Sequence, residues 1–123
     1  MATRSLIGYW SEEKKVVVSA YCHWDGYPQG VGQTLLDNYR DLDTVKEVVS
    51  LGSFSSLKDT VQETRAEQHD KAFTSEDSFS RFIQRYPSNT EYHYLFIDGE
   101  WKVSAVFNKH CMDLKKVIEN SEK

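Results

Sequence analysis

No apolar run in the sequence approaches the ~18–20 residues that a bilayer demands, which predicts no membrane-spanning helix. Positive charge is not in excess. Fifteen Lys and Arg stand against 19 Asp and Glu, a net charge of -4 that disfavours duplex nucleic acid as a partner. Cysteine is scarce, with only Cys22 and Cys111, so no disulfide framework is possible and a reducing compartment is expected. The first residues carry one Arg and no apolar core of a leader, which predicts no secretory signal. Together these absences predict a soluble cytoplasmic protein. Glycine and proline are also few, and they are unevenly spread: three of the six Gly and one of the two Pro fall within residues 25–32. That stretch reads as the principal loop.

Aromatic residues, by contrast, are plentiful. The 6 Phe, 7 Tyr and 3 Trp argue against disorder in a chain of 123 residues, a length that suits one domain. Residues 5–24 read as a hairpin about a polar turn at Glu12–Lys15, with Ile7 and Tyr9 opposite Ala20 and Val18, and Leu6 and Trp10 beside Tyr21 and Val17. Both of its faces are apolar, which places it centrally in a sheet or against a partner subunit. Leu35, Leu36 and Tyr39 predict a helix. A second helix is expected from Thr44 to Leu51, with Asp43 or Thr44 as cap and Gly52 after its end. Residues 58–74 are polar with weak periodicity and predict a solvated helix or mobile excursion. The spacing Thr74 to Asp77 resembles a capping box, opening a helix with Phe79, Phe82, Ile83 and Tyr86 on one face and Pro87 at its end.

Asp98-Gly99 is a type I′ turn signal between two alternating segments. A two-residue turn sets Phe96 against Trp101, Tyr94 against Val103 and Tyr92 against Ala105. A last helix with Leu114, Val117 and Ile118 precedes a charged tail at 119–123. The expected fold is one α+β domain, an antiparallel sheet of about four strands in two hairpins, packed with four or five short helices.

The densest group of chemistry-bearing residues is Tyr21-Cys22-His23-Trp24-Asp25-Gly26-Tyr27-Pro28. With Met1-Ala2-Thr3-Arg4-Ser5, Ile7, Gly30-Val31-Gly32, Leu35-Leu36 and Tyr39, and on through Val45, Val48–Gly52 and Ser55-Ser56-Leu57, it resembles a family of small proteins of tailed phages and prophages. The resemblance spans the first 57 residues. It implies a phage context and an accessory role in the cytoplasm of the infected bacterial host, in takeover or against a defence. It brings no catalytic or binding residues with it.

Read physically, the segment is a strand entering a Gly-rich loop that opens a helix, a common way to make an anion site. Gly30 and Gly32 would admit a phosphate to the backbone and Thr34 would offer a hydroxyl. Arg4, opposite residue 23 in the hairpin register, would complete the clamp, and Trp24 and Tyr27 would stack on a base. His23 and Asp25 complete the expected ligand-binding set. The plainer alternative is a tight connection with Trp24 in the core.

Cys22-His23 and His110-Cys111 lack the ligand spacing of a structural zinc site, and neighbours on a strand face opposite ways, so no metal and no cofactor is expected. The same geometry opposes a Cys–His nucleophile. His93, Leu95, Ile97 and Val106 make the reverse face of the second hairpin more apolar than a solvated face, either a candidate surface for a host protein or a second copy of the chain, or a face covered by the helix over 76–86. The leading expectation is a binding protein that sequesters a phosphate-bearing, nucleotide-derived small molecule. An inhibitor of a host protein and a small enzyme acting on a nucleotide are the alternatives.

Overall fold

The computed structural model describes residues 3–70, 74–76, 90–105 and 108–121. In chain order these form β1 (Ser5–Ser11), β2 (Val16–Cys22), a π-helical turn (Pro28–Gly32), α1 (Gln33–Asn38), α2 (Leu42–Val49), β3 (Ser53–Phe54), α3 (Val61–Arg65), β4 (Gln68–Asp70), β5 (Thr74–Glu76), β6 (Tyr92–Ile97), β7 (Glu100–Ala105), β8 (Asn108–Asp113) and α4 (Leu114–Ser121).

Both hairpins have the expected registers. Ile7 pairs with Ala20, Tyr9 with Val18, Leu6 with Tyr21 and Trp10 with Val17. In the second hairpin Tyr94 pairs with Val103 and Phe96 with Trp101. Asp98 and Gly99 have φ of 54° and 76°, the paired positive values of a type I′ turn. Tyr94, Phe96, Trp101 and Val103 are buried together on the face this register dictates.

The sheet is larger than expected and mixed. Its order is β4-β3-β2-β1-β6-β7-β8, with β5 also paired to β2, eight strands among the described residues. The two hairpins join through their first strands, β1 and β6, which run parallel, and β2 and β3 are parallel too. A purely antiparallel sheet of about four strands is therefore corrected. A parallel neighbour reached through a long connection leaves no local signal, and strands of two or three residues are too short to show alternation.

Central placement explains the two apolar faces of the first hairpin. On one face Ile7, Val18 and Ala20 join the main core with Leu35, Tyr39, Val48 and Leu114; on the other Leu6, Val17 and Leu95 form a smaller cluster. Burial of this apolar surface at ~25 cal/mol per Å² supplies the main drive to fold.

In α2 the expected stripe Val45, Val48 and Val49 is buried. Its cap is Asp41, not Asp43 or Thr44: the Asp41 carboxylate accepts the Thr44 N–H at 3.0 Å, which holds that acid below the usual carboxylate range. Gly52 takes a left-handed φ of 79° just beyond the helix. Residues 58–74 were expected as a solvated helix or a mobile excursion, and their described part includes a short helix with Thr64 as its buried residue. That helix is α3, capped by the Thr60 hydroxyl on Glu63 N–H, and β4 and β5 follow it. Thr74–Glu76 is strand paired with Val17–Ser19, where a helix cap was expected. The helix expected over 77–86 lies outside the described residues. At the other end α4 carries the chain through Ser121, into the expected tail. Among the described residues no helix is long and apolar enough to cross a membrane.

Candidate functional site

Beyond β2 the chain stays laced to its neighbours. His23 N–H donates to Phe54 O at 3.1 Å and Trp24 N–H to Ser55 O at 2.8 Å. Asp25 then turns the chain with φ of 58°. Gly26 N–H donates to Thr3 O at 2.8 Å, and the buried Tyr94 hydroxyl donates to Gly26 O. Gly30 N–H closes onto Tyr27 O at 2.9 Å and Val31 N–H onto Asp25 O at 2.8 Å. The second half of the expected loop is thus helical, a π turn that runs straight into α1, an irregularity frequent at functional sites.

This winding alters the role of the glycines. A Cβ at Gly30 would strike Asp25 O, and one at Gly32 would lie 3.0 Å from Leu114 Cδ1. Both positions serve close packing rather than ligand approach. The amides that would cradle a phosphate are spent within the turn. Gln33 N–H also goes to Gly30 O and Pro28 O, and the Thr34 hydroxyl donates to Gly30 O at 3.2 Å.

Beside the turn lies a cavity of about 270 Å³. One wall carries Trp24, Asp25, Tyr27, Gly30, Thr34 and Asp37; the facing wall is Ser56–Asp59. Trp24 is 45% exposed and Tyr27 40% exposed. The alternative that Trp24 fills the core is therefore corrected. Five of the eight expected binding residues line the cavity. Arg4, His23 and Gly32 do not. His23 Nδ1 sits 2.9 Å from the Tyr21 hydroxyl, and its ring meets Trp24 edge-on at 4.6 Å. Burial raises the Tyr21 hydroxyl against the opposing charge of Arg4.

The charge of the cavity is acidic: Asp25, Asp37 and Asp59 against Lys58. No ion pair ties Lys58 to any of the three. Asp37 accepts from the Gln33 amide at 3.0 Å, and Asp59 accepts from the Asn38 amide at 3.3 Å, a bond that joins the two walls.

Sequence reasoning missed the facing wall, which buried side chains set. Tyr39, fully buried, donates its hydroxyl to Lys58 O at 2.7 Å. Lys58 N–H donates to Thr64 Oγ1 at 3.0 Å, and Thr64 donates to Thr60 O at 2.9 Å. Tyr39→Phe removes this bond to the Lys58 carbonyl, which Thr64 Oγ1 also approaches at 3.5 Å, and a loss of about 0.5–1.5 kcal/mol is expected in urea unfolding. An unchanged midpoint would mean that Tyr39 does not hold this wall.

Cys22 is fully buried, and burial pushes its thiol up to about 12; its Sγ lies 3.5 Å from Trp24 O. It cannot supply a thiolate at neutral pH. The side chains of His110 and Cys111 lie outside the described residues. Among the described residues no group of three or more His, Cys, Asp or Glu could hold a metal ion.

The expected docking face is closed where it was expected to open. His93 and Leu95 are each 1% exposed, with Leu95 in the smaller core cluster and His93 Nε2 3.0 Å from the Thr90 hydroxyl. Ile97 is half-buried, and Val106 lies outside the described residues. Compared with known proteins, the chain matches no family model, no curated sequence and no solved structure.

Proposed function

We propose that this protein acts by non-covalent binding and takes its ligand in the cavity between Trp24–Asp37 and Ser56–Asp59. The resemblance of its first 57 residues to small phage proteins adds the setting: an accessory factor in the infected host cell. One observation carries the site. Two aromatic rings, Trp24 and Tyr27, stand exposed at a cavity whose surrounding backbone is internally hydrogen-bonded. A preordered wall lowers the entropic cost of binding, and exposed rings offer large contact area for it.

A nucleotide-derived signal, the leading expectation from the sequence, becomes the second reading, and Lys58 is the observation in its favour. A base would stack on Trp24 or Tyr27 while the Lys58 ammonium met a phosphate. Calorimetry of Trp24→Ala against a panel of linear and cyclic nucleotides tests it. The exposed side chain predicts a stability change within about 0.5 kcal/mol. Loss of a stacked base is worth about 1–3 kcal/mol, a roughly five- to hundredfold loss of affinity. Nucleotide binding that survives Trp24→Ala would move the site elsewhere. Turnover of a nucleotide in the same panel would favour an enzyme, and Asp25 and His23 would be the first residues to replace. Capture of a host protein lost on Ile97→Asp would favour the inhibitor instead.

A further inference from the structure

Resting on that cavity as the binding site, we infer that its ligand presents a cationic nitrogen, an alkylammonium or guanidinium group. The aromatic rings and the charges point the same way. Trp24 and Tyr27 expose ring surface of the kind that attracts a cation, and Trp is the strongest such ring. Three carboxylates and one ammonium line the same space, leaving it net negative. Most donors an anion would need are engaged or elsewhere: the Gly30, Val31 and Gln33 amides bond within the turn and Arg4 lies outside, which leaves the Lys58 ammonium and the Ser56 hydroxyl. An anion would meet one ammonium and three like charges, whereas a cation meets one like charge and three carboxylates that form no ion pair among the described residues. At about 270 Å³ the cavity sits at the small end of ligand sites, sized for a head group or one side chain rather than for a whole dinucleotide. Such a nitrogen comes from a free polyamine or from a Lys or Arg side chain on a peptide.

Calorimetry on the full chain separates these, with spermidine, a hexalysine peptide and ADP as probes, in wild type, Asp37→Asn, Lys58→Gln and Trp24→Ala. Asp37 and Lys58 are exposed, so these replacements leave the core intact. Spermidine or hexalysine is expected to bind and to weaken with added salt. Asp37→Asn should weaken it roughly two- to fivefold, and Lys58→Gln should strengthen it by a similar factor. Trp24→Ala should cost roughly three- to thirtyfold. Binding of spermidine alone names a free polyamine as the source, and binding of hexalysine alone names a peptide side chain. Opposite signs overturn the inference: ADP that binds, weakens in Lys58→Gln and is lost in Trp24→Ala leaves the cavity as the site but makes its ligand anionic. Amine binding indifferent to Trp24→Ala overturns the site itself. No binding of any probe overturns both.

Discussion

Trp101→Ala is expected to lower stability by about 3–5 kcal/mol, the cost of removing a large buried ring and leaving its space. Trp101 is 4% exposed and meets Phe96 edge-on at 5.1 Å. Its indole N–H donates to Tyr39 O at 2.8 Å, so the truncation also strands a buried carbonyl just after α1. The ring therefore ties β7 to the segment that carries the cavity wall. Urea unfolding should show a lower midpoint with an unchanged slope. A loss below about 1 kcal/mol would mean that the ring does not sit where the register places it.

Raising the pH from about 9 to about 12 is expected to remove about 3 kcal/mol of stability through Cys22 alone. Burial raises its thiol from an ordinary 9.0 to about 12. The folded state thus holds the proton more tightly than the unfolded chain. The stabilisation is complete below pH 9 and is lost as pH rises toward the folded value, at ~1.4 kcal/mol for each pH unit. Burial also raises the hydroxyls of Tyr94, well above its ordinary 10.0, and of Tyr39, and these add to the loss. Between pH 9 and 10 Cys22 adds a loss of about 1 kcal/mol to what the raised tyrosines contribute. Urea midpoints measured across that window should fall more steeply in wild type than in Cys22→Ala. A level wild-type profile, or alkylation of native Cys22 as fast as a free thiol, would contradict its burial.

The hairpins were legible because their information is local. Alternation in Tyr92–Ile97 and the Asp98-Gly99 pair fix a register with no help from the rest of the chain. The parallel contact of β1 with β6 depends on strands some 85 residues apart, and nothing near either strand encodes it. The candidate site divides in the same way. Trp24, Asp25, Tyr27 and Thr34 were legible as a strand running through glycines into a helix. Lys58 and Asp59 were not, because bonds from Tyr39 and Thr64, themselves distant in sequence, carry them to the cavity. Gly30 and Gly32 misled for a further reason. A Gly-x-Gly sequence shows that the backbone can approach something closely, but not whether that is a phosphate or, as here, Asp25 and Leu114 of the same chain.

Ligand entry between Trp24–Asp37 and Ser56–Asp59 can be followed by NMR, through the backbone amide shifts of the isotope-labelled full chain during addition of spermidine and then ADP. The largest shifts are expected within 24–37 and 56–59, with the Trp24 indole signal moving alongside them. Largest shifts at 93–97, or no shifts with either probe, would contradict entry between these segments.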